Sequence, residues 1–333
     1  MLPSLANAPG KENAMLPIQV ALTSLSDNIR ISELARVAAA LQTQVTRDFG
    51  PVWRVDATIG AFPFELIPPG SWPIIVHDVL DEPGAAGIHR METDDTPYAL
   101  VLYGDTWSLA ASHELLEMLA DPSASRKIAG ASPIPGQGRA DYLLEVCGPC
   151  EDIATAYSID GVIVSDFCAP DFFKPFNAGA ARYSLSGAIK RPLQVLPNGS
   201  LSWIASDGLL YQMRADEDGE VEWHGGFSIA NRDGQSLREF VNALRPDQQE
   251  QLSNADIPAH LIEAEASSLA ARGTTSTRFR DELAWRFGYA PRTQPHRFEI
   301  PIPTMRDRMR PMPVPVQTAA PAPRYPALAV AKS

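Results

Sequence analysis

The stretch DTWSLAASHELLEMLADP, from Asp105 to Pro122, decides how this 333-residue chain is interpreted. Its Ala, Leu, Glu and Met residues favour a helix, which Asp105 or Thr106 can cap and which Pro122 follows. Residues four apart lie on one face of a helix, so we expect His113 and Glu117 to point the same way. An imidazole and a carboxylate at this spacing can bind one metal ion, zinc or another divalent cation.

Glu114 follows His113 directly and lies about 100° further around the predicted helix. From there its carboxylate can reach a water molecule on the metal without taking a coordination position, as the general base of an H-E-x-x-H site does. The motif therefore predicts a metal site formed by His113 and Glu117, with Glu114 as the catalytic residue.

The chain before the motif predicts several strands and one long helix. Residues 26–50 carry apolar side chains at helical spacing, with Ser32 as the expected cap and Gly50 as the expected end. Four β-branched or apolar runs are typical of strands: residues 17–25, 52–62, 72–80 and 97–104. The order is therefore strand, helix, strands and motif helix.

This order and the motif His113-Glu114-x-x-Glu117 together resemble the zincin class of metallopeptidases over residues 17–121. The resemblance implies a mixed sheet, an active-site helix and a strand at the edge of the cleft that aligns the substrate backbone. We expect the strand Tyr98–Tyr103 to take that place, with a peptide substrate lying extended beside it.

Glu117 departs from the zincin pattern, which usually has His at this position. A carboxylate ligand adds negative charge to the metal, which makes the metal a weaker Lewis acid and raises the pKa of its bound water. The substitution is compatible with a site that is active, that prefers another divalent metal, or that has lost activity.

A catalytic zinc needs a third protein ligand. The tenth residue after His113 is Ser123, so the metzincin spacing fails. The acidic candidates are Glu151, Glu145 and Asp121. Glu151 is preferred narrowly because it follows the Gly148-Pro149 break, where a loop can turn into a cleft, whereas Glu145 lies on a predicted strand.

Two other interpretations of these residues stay open. The charged residues of the motif are also compatible with a solvated face of an ordinary helix. Cys147 and Cys150 form a C-x-x-C pair, but only Cys168 accompanies them, so a zinc site of four cysteines is excluded. Small buried residues or a chance disulfide are favoured over a redox role for this pair.

The structure predicted for the second half of the chain changes along its length. Residues 122–140 predict a loop, the Asp160-Gly161 dipeptide predicts a hairpin turn, and short strands follow between residues 183 and 227. The sequence predicts five regions. They are a flexible N-terminal tail (residues 1–16), a zincin-like metal-binding domain (17–185), a β-rich extension (186–228), a helical region (229–290) and a Pro-rich disordered tail (291–333).

Composition and charge exclude several function classes. The net charge of -12 and the pI near 5.0 argue against binding to nucleic acid or to an anionic membrane. No apolar run is long enough to span a bilayer, and the start of the chain does not resemble a secretory signal. Three cysteines do not make a disulfide scaffold, so we expect a cytoplasmic protein.

The predicted fold class is α+β, with a zincin-like mixed sheet and active-site helix followed by β-hairpins and a short helical C-terminal region. The predicted function is metal-dependent hydrolysis of a peptide or protein substrate. The alternative is a non-catalytic pseudo-peptidase or a structural component of an assembly, binding protein partners through the C-terminal helices and the Pro-rich tail.

Overall fold

The computed structural model describes residues 17–80, 84–92, 95–174, 182–232, 234–244 and 250–251, all within one compact unit. Its class is α+β, as predicted. The helices are α1 (Ile31–Thr43), α2 (Gly50–Trp53), α3 (Trp107–Ala120) and α4 (Leu237–Ala243). The strands are β1 (Ile18–Ser24), β2 (Ala57–Ala61), β3 (Trp72–His77), β4 (Gly87–Met91), β5 (Pro97–Leu102), β6 (Lys127–Ala131), β7 (Arg139–Leu143), β8 (Tyr157–Ile159), β9 (Val162–Val164), β10 (Ser200–Ala205), β11 (Leu209–Ala215), β12 (Val221–Ser228) and β13 (Glu250–Gln251).

The first sheet has five strands in the order β2-β1-β3-β5-β4. β1, β2, β3 and β5 are parallel, whereas β4 is antiparallel to β5. β1 and β3 are apolar runs whose inner residues are buried, as expected for central parallel strands covered on both faces. β5 pairs on both sides, so the expectation that it forms the edge of the cleft is wrong. The edge strand on that side of the sheet is β4, where the sequence analysis predicts no strand.

The long helix before β2 differs from its prediction at both ends. Its N-cap is Arg30 rather than Ser32, without a side-chain cap. After Thr43 the chain widens into a π-helical segment, Gln44–Phe49, and continues through Gly50 into α2. A Cβ on Gly50 would come within 2.6 Å of a backbone oxygen, so this glycine serves close packing rather than termination.

The second sheet is antiparallel, in the order β13-β12-β11-β10-β7-β6. It joins β6 and β7 to β10, so strands from either side of the predicted boundary at residue 186 belong to one sheet. β6 and part of β7 lie in residues 122–140, where the sequence predicts only a loop. The hairpin of β8 and β9 is confirmed, with Asp160 and Gly161 both at positive φ.

Apolar packing joins the two sheets. One cluster runs from β1, β3 and α1 through α3 to Tyr142 and Trp203 of the second sheet. A smaller cluster holds α4 on the second sheet through Leu237 and Val241.

α4 confirms a helix at the start of the predicted helical region 229–290. Besides α4, the described part of that region consists of residues 229–232, 234–236, 244 and 250–251. Its other residues and both predicted tails lie outside the described residues. Among the helices of the described ranges, none has the length and apolar content that a bilayer crossing requires.

Candidate functional site

The motif residues lie on α3, which is buried on nearly every side. Glu114 is 4% exposed and Glu117 is fully buried, so these residues do not form a solvated face. α3 packs on β3, β4 and β5 of the first sheet and against β9. Charged groups buried at this depth need partners, and those partners define the site.

The rotation of α3 is fixed by a buried hydrogen-bond network next to His113. Ser112 Oγ donates to Gln44 Oε1 at 2.7 Å and accepts from the Ser165 backbone N–H at 2.9 Å. Gln44 Nε2 donates to the Ser165 carbonyl. The π-helical segment, which begins at Gln44, therefore has a structural role: it carries the amide that orients the motif helix.

Glu117 accepts hydrogen bonds from three consecutive backbone N–H groups. Its Oε1 accepts from Cys147 at 2.8 Å and Gly148 at 3.3 Å, and its Oε2 accepts from Val146 at 3.1 Å. The carboxylate thus anchors the turn after β7 to the motif helix. One lone-pair position of Oε2 stays available for a cation.

A single cation occupies the space between His113, Glu117 and Glu145, and it is the guanidinium of Arg238 from α4. Arg238 Nη1 lies 3.4 Å from Glu117 Oε2 and 3.6 Å from Glu145 Oε1. Its Nη2 lies 3.3 Å from His113 Nε2. Burial lowers the pKa of Arg238, but the charges of Glu117 and Glu145 outweigh burial and raise it, so the group stays charged.

His113 presents its Nε2 lone pair to this cation. A guanidinium only donates, so the Nε2 atom facing Arg238 accepts and the ring is neutral with its proton on Nδ1. Burial lowers the pKa of His113, although Glu114 and Glu117 oppose the shift. His113 Nε2 also lies 3.9 Å from Glu117 Oε1.

Glu114 lies against the edge strand β4. Its Oε2 lies 3.2 Å from Nδ1 of the buried His89, and a Cβ on Gly87 would come within 2.9 Å of its Oε1. Burial raises the pKa of Glu114, but the hydrogen bond to His89 and the charges of His113 and Arg238 outweigh it, so the pKa is lowered. Glu114 is therefore a carboxylate able to accept a proton.

The three acidic candidates for a third ligand are placed differently. Glu145 contacts Arg238, and burial raises its pKa. Glu151 is half-buried near the same cluster, and burial raises its pKa to about 8. Asp121 accepts from the Arg126 backbone and from Ser123 Oγ, so its side chain closes the turn after α3 rather than facing His113.

With Arg238 in place the cluster does not fit a metal ion. Within the described ranges, no three His, Cys, Asp or Glu side chains stand close enough together to share one. The donor types, an imidazole and carboxylates, nevertheless suit a divalent cation. The cluster is therefore a cation-binding site that is filled by the guanidinium of Arg238.

Cys147, Cys150 and Cys168 are buried and free. Burial raises the pKa of all three thiols, which keeps them protonated and unreactive. This agrees with the preferred interpretation of the pair as small buried residues.

Sequence reasoning did not select two residues of this cluster, His89 and Arg238. Arg238 lies 125 positions after His113, and only the capping box Ser236-x-x-Glu239 marks its helix. His89 stands in a strand of five residues without a clear alternating pattern. Comparison with protein-family models, curated proteins and solved structures found no match to this chain.

Proposed function

We propose that this chain is a zincin-like metal-dependent hydrolase whose first substrate class is peptides. One observation carries the proposal: His113 and Glu117, four residues apart on a buried helix, both contact one cation, the Arg238 guanidinium, His113 through Nε2 at 3.3 Å and Glu117 through Oε2 at 3.4 Å. A fixed pair of this kind, with a carboxylate next to it on the same helix, matches the motif from which the site was predicted.

His113, Glu117 and Glu145 are the residues that would hold the metal. Glu145 is preferred to Glu151 because its Oε1 already lies 3.6 Å from the resident cation. Zinc bound there would act as a Lewis acid and lower the pKa of a water molecule toward neutrality. Glu117 contributes a second function, since it fixes the turn at residues 146–148, which follows Glu145 directly.

Glu114 is the proposed general base. Its carboxylate is ionised and oriented by His89, so it can take a proton from the attacking water and pass it to the leaving amine. His89 is a positioning residue: its Nε2 also lies 3.2 Å from the Asp121 carbonyl, which ties β4 to the end of α3.

The edge strand β4 is the proposed alignment strand for the substrate. It is antiparallel, and no further strand covers its outer side in the part of the chain that the structure describes. An extended peptide can add to such an edge through main-chain hydrogen bonds. Gly87 and His89 of β4 contact Glu114, so a peptide on this edge lies next to the proposed base.

Equilibrium dialysis against saturating zinc tests the metal site. Chelator-treated full-length protein is expected to bind one zinc per chain, and His113→Ala is expected to lose it. Equal zinc content in the two proteins, both checked for native folding by circular dichroism, would refute the site.

Hydrolysis of an unstructured protein such as casein tests the reaction. We expect Glu114→Gln to retain zinc and to lower the zinc-dependent rate by about 10²–10⁴-fold, the usual contribution of a general base. Zinc-dependent hydrolysis that is unchanged in Glu114→Gln would exclude this residue as the base.

The position of Arg238 favours a second candidate, a non-catalytic pseudo-peptidase. A protein in which the guanidinium has permanently replaced the metal retains the fold and loses the chemistry. This candidate predicts that neither the wild-type protein nor Arg238→Gln binds zinc in a way that depends on His113.

A further inference from the structure

We propose that the cavity beside the segment 229–237 is a binding site for a small monocarboxylate that carries an apolar chain. The site shares no lining residue with the cluster around Arg238, and it does not rest on the proposed hydrolytic function. The inference follows from three features: the way the segment spans the second sheet, the apolar part of the cavity lining, and the two cationic side chains in that lining.

The first feature is the segment that connects β12 to α4. At one end Ser228 pairs with Leu209 of β11, and at the other the N–H of Leu237 donates to Ser125 Oγ, just before β6. The residues between these ends therefore pass from β12 to the far side of the sheet, which is four strand spacings or roughly 19 Å away. Beside the segment lies a cavity of about 600 Å³, within the size range of small-molecule sites.

The second feature is the apolar part of the lining, formed by Ile204, Leu237 and Ile229. Ile204 and Leu237 belong to the small apolar cluster that holds α4 on the second sheet, and Ile229 packs against that cluster. Ile229 is only half-buried, so the apolar chain of a ligand would remove further apolar surface from water. Burial of this surface favours a ligand with an apolar part.

The third feature is a pair of cationic side chains. Lys127 of β6 and Arg232 of the segment both line the cavity, and no carboxylate is among the lining residues that the structure describes. Asp141 lies 3.8 Å from Lys127 Nζ, but the same carboxylate also contacts Arg139, at 3.3 Å. One negative charge is thus shared between two cations. The remaining positive charge can attract an anion.

These features together select the class of ligand. A carboxylate accepts charge-assisted hydrogen bonds from lysine and arginine, and an attached chain can lie against the apolar residues. Inorganic phosphate would meet the same cations but would bury no apolar surface. An uncharged alcohol would bury that surface but would not neutralise the cations. The ligand therefore needs both parts, a carboxylate and an apolar chain of several carbons.

Isothermal titration of the full-length chain with octanoate tests the site. We expect one octanoate to bind per chain. Hexanoate is expected to bind several-fold more weakly, because it removes two fewer methylene groups from water. Acetate, inorganic phosphate and octanol each lack one part of the ligand, and each is expected to bind at least tenfold more weakly than octanoate.

Three variants locate the binding. Arg232→Gln and Lys127→Gln each remove one cation and are expected to weaken octanoate binding at least fivefold. Ala230→Trp fills the cavity from an exposed lining residue and is expected to abolish binding. Lys174→Gln is the matched control, because it removes an exposed lysine that contacts Asp171 and does not line the cavity. Circular dichroism checks that all four proteins are folded.

Amide hydrogen exchange gives a second measurement, which an ion held only at the surface would not change. Octanoate packed against Ile204 and Leu237 adds contacts to the cluster that holds α4. We therefore expect exchange in residues 237–243 to slow several-fold on addition of octanoate, and exchange in α3 to stay unchanged.

The outcomes separate clearly. Octanoate binding that is weaker in Arg232→Gln and Lys127→Gln and lost in Ala230→Trp supports the site. Equal affinity in wild type and these three variants overturns it, as does phosphate binding as tight as that of octanoate. Absence of octanoate binding to the wild-type protein also overturns it. None of these results depends on zinc binding at His113, so this inference and the proposed function fail separately.

Discussion

Glu117 is the residue that distinguishes this site from the pattern it resembles, and its contacts give a physical reason for a carboxylate there. Three backbone N–H groups, from Val146, Cys147 and Gly148, donate to its two oxygens. An imidazole has at most one acceptor nitrogen and cannot replace those bonds. The Glu at this position therefore serves the turn that follows β7 as well as the cation position.

Restoring the familiar histidine is accordingly predicted to harm the protein. Glu117→His leaves the three N–H groups and Arg238 without their partner, which should lower the free energy of unfolding by about 3–5 kcal/mol. Urea unfolding followed by circular dichroism measures it, with the exposed Glu65→His as control. A loss of less than about 1 kcal/mol would contradict the anchoring role of Glu117.

Glu151 makes the stability depend on pH. Its pKa is about 8 in the folded protein and near 4.5 when unfolded, so folding takes up a proton between these values. Stability contributed by the neutral form is present below the unfolded pKa and is lost as pH rises toward 8.

Glu151→Gln removes this loss. The melting temperature is expected to rise by about 2–4 °C at pH 9, the shift that about 1 kcal/mol produces in a domain of this size, and to change little at pH 4.5. A rise of equal size at both pH values would show that the carboxyl is not the cause.

Individual residues of the site differed in how far the sequence could predict them. His113, Glu114 and Glu117 are visible because helical spacing alone places them together. The choice between Glu145 and Glu151 depended on the path of the chain after β7, which local pattern does not contain. Arg238 could not be predicted, since its contact with His113 depends on packing between segments 125 positions apart.

Among the elements, α4 offers the clearest test of helix stability, because it is short and depends on its cap. Ser236 and Glu239 form a complete capping box at its start. Ser236→Ala removes one half of it, at a cost of about 1 kcal/mol. We expect amide hydrogen exchange to become several times faster in α4 and to stay unchanged in α3. Unchanged exchange in α4 would mean that the cap does not hold the helix.

Strong periodicity decided which elements could be predicted. α1, α3, the buried parallel strands and the Asp160-Gly161 hairpin follow from apolar spacing and turn residues. β4 and β6 were missed because short edge strands carry little pattern and owe their conformation to pairing with β5 and β7. Because β4 was missed, β5 was expected at the edge of the sheet, a position that β4 occupies.

At the scale of the whole molecule, the site lies where the two sheets meet. The first sheet supports α3, His89 and Gly87, whereas the turn after β7 and helix α4, both carried by the second sheet, supply Glu145 and Arg238. The class α+β followed from composition and pattern, but the joining of β7 to β10 depends on pairing across about sixty residues. The side chains of the cluster therefore come together only when both sheets are folded and packed together.

The central claim is that zinc binds through His113 and carboxylates on this helix and turn. Zinc K-edge X-ray absorption of the zinc-loaded Arg238→Gln protein tests it directly. The account predicts one imidazole nitrogen and two carboxylate ligands, with nitrogen and oxygen at about 2.0–2.2 Å and no sulfur. A zinc–sulfur distance of about 2.3 Å, showing that the ion has gone to Cys147, Cys150 or Cys168, or a spectrum unchanged in His113→Ala, would contradict it.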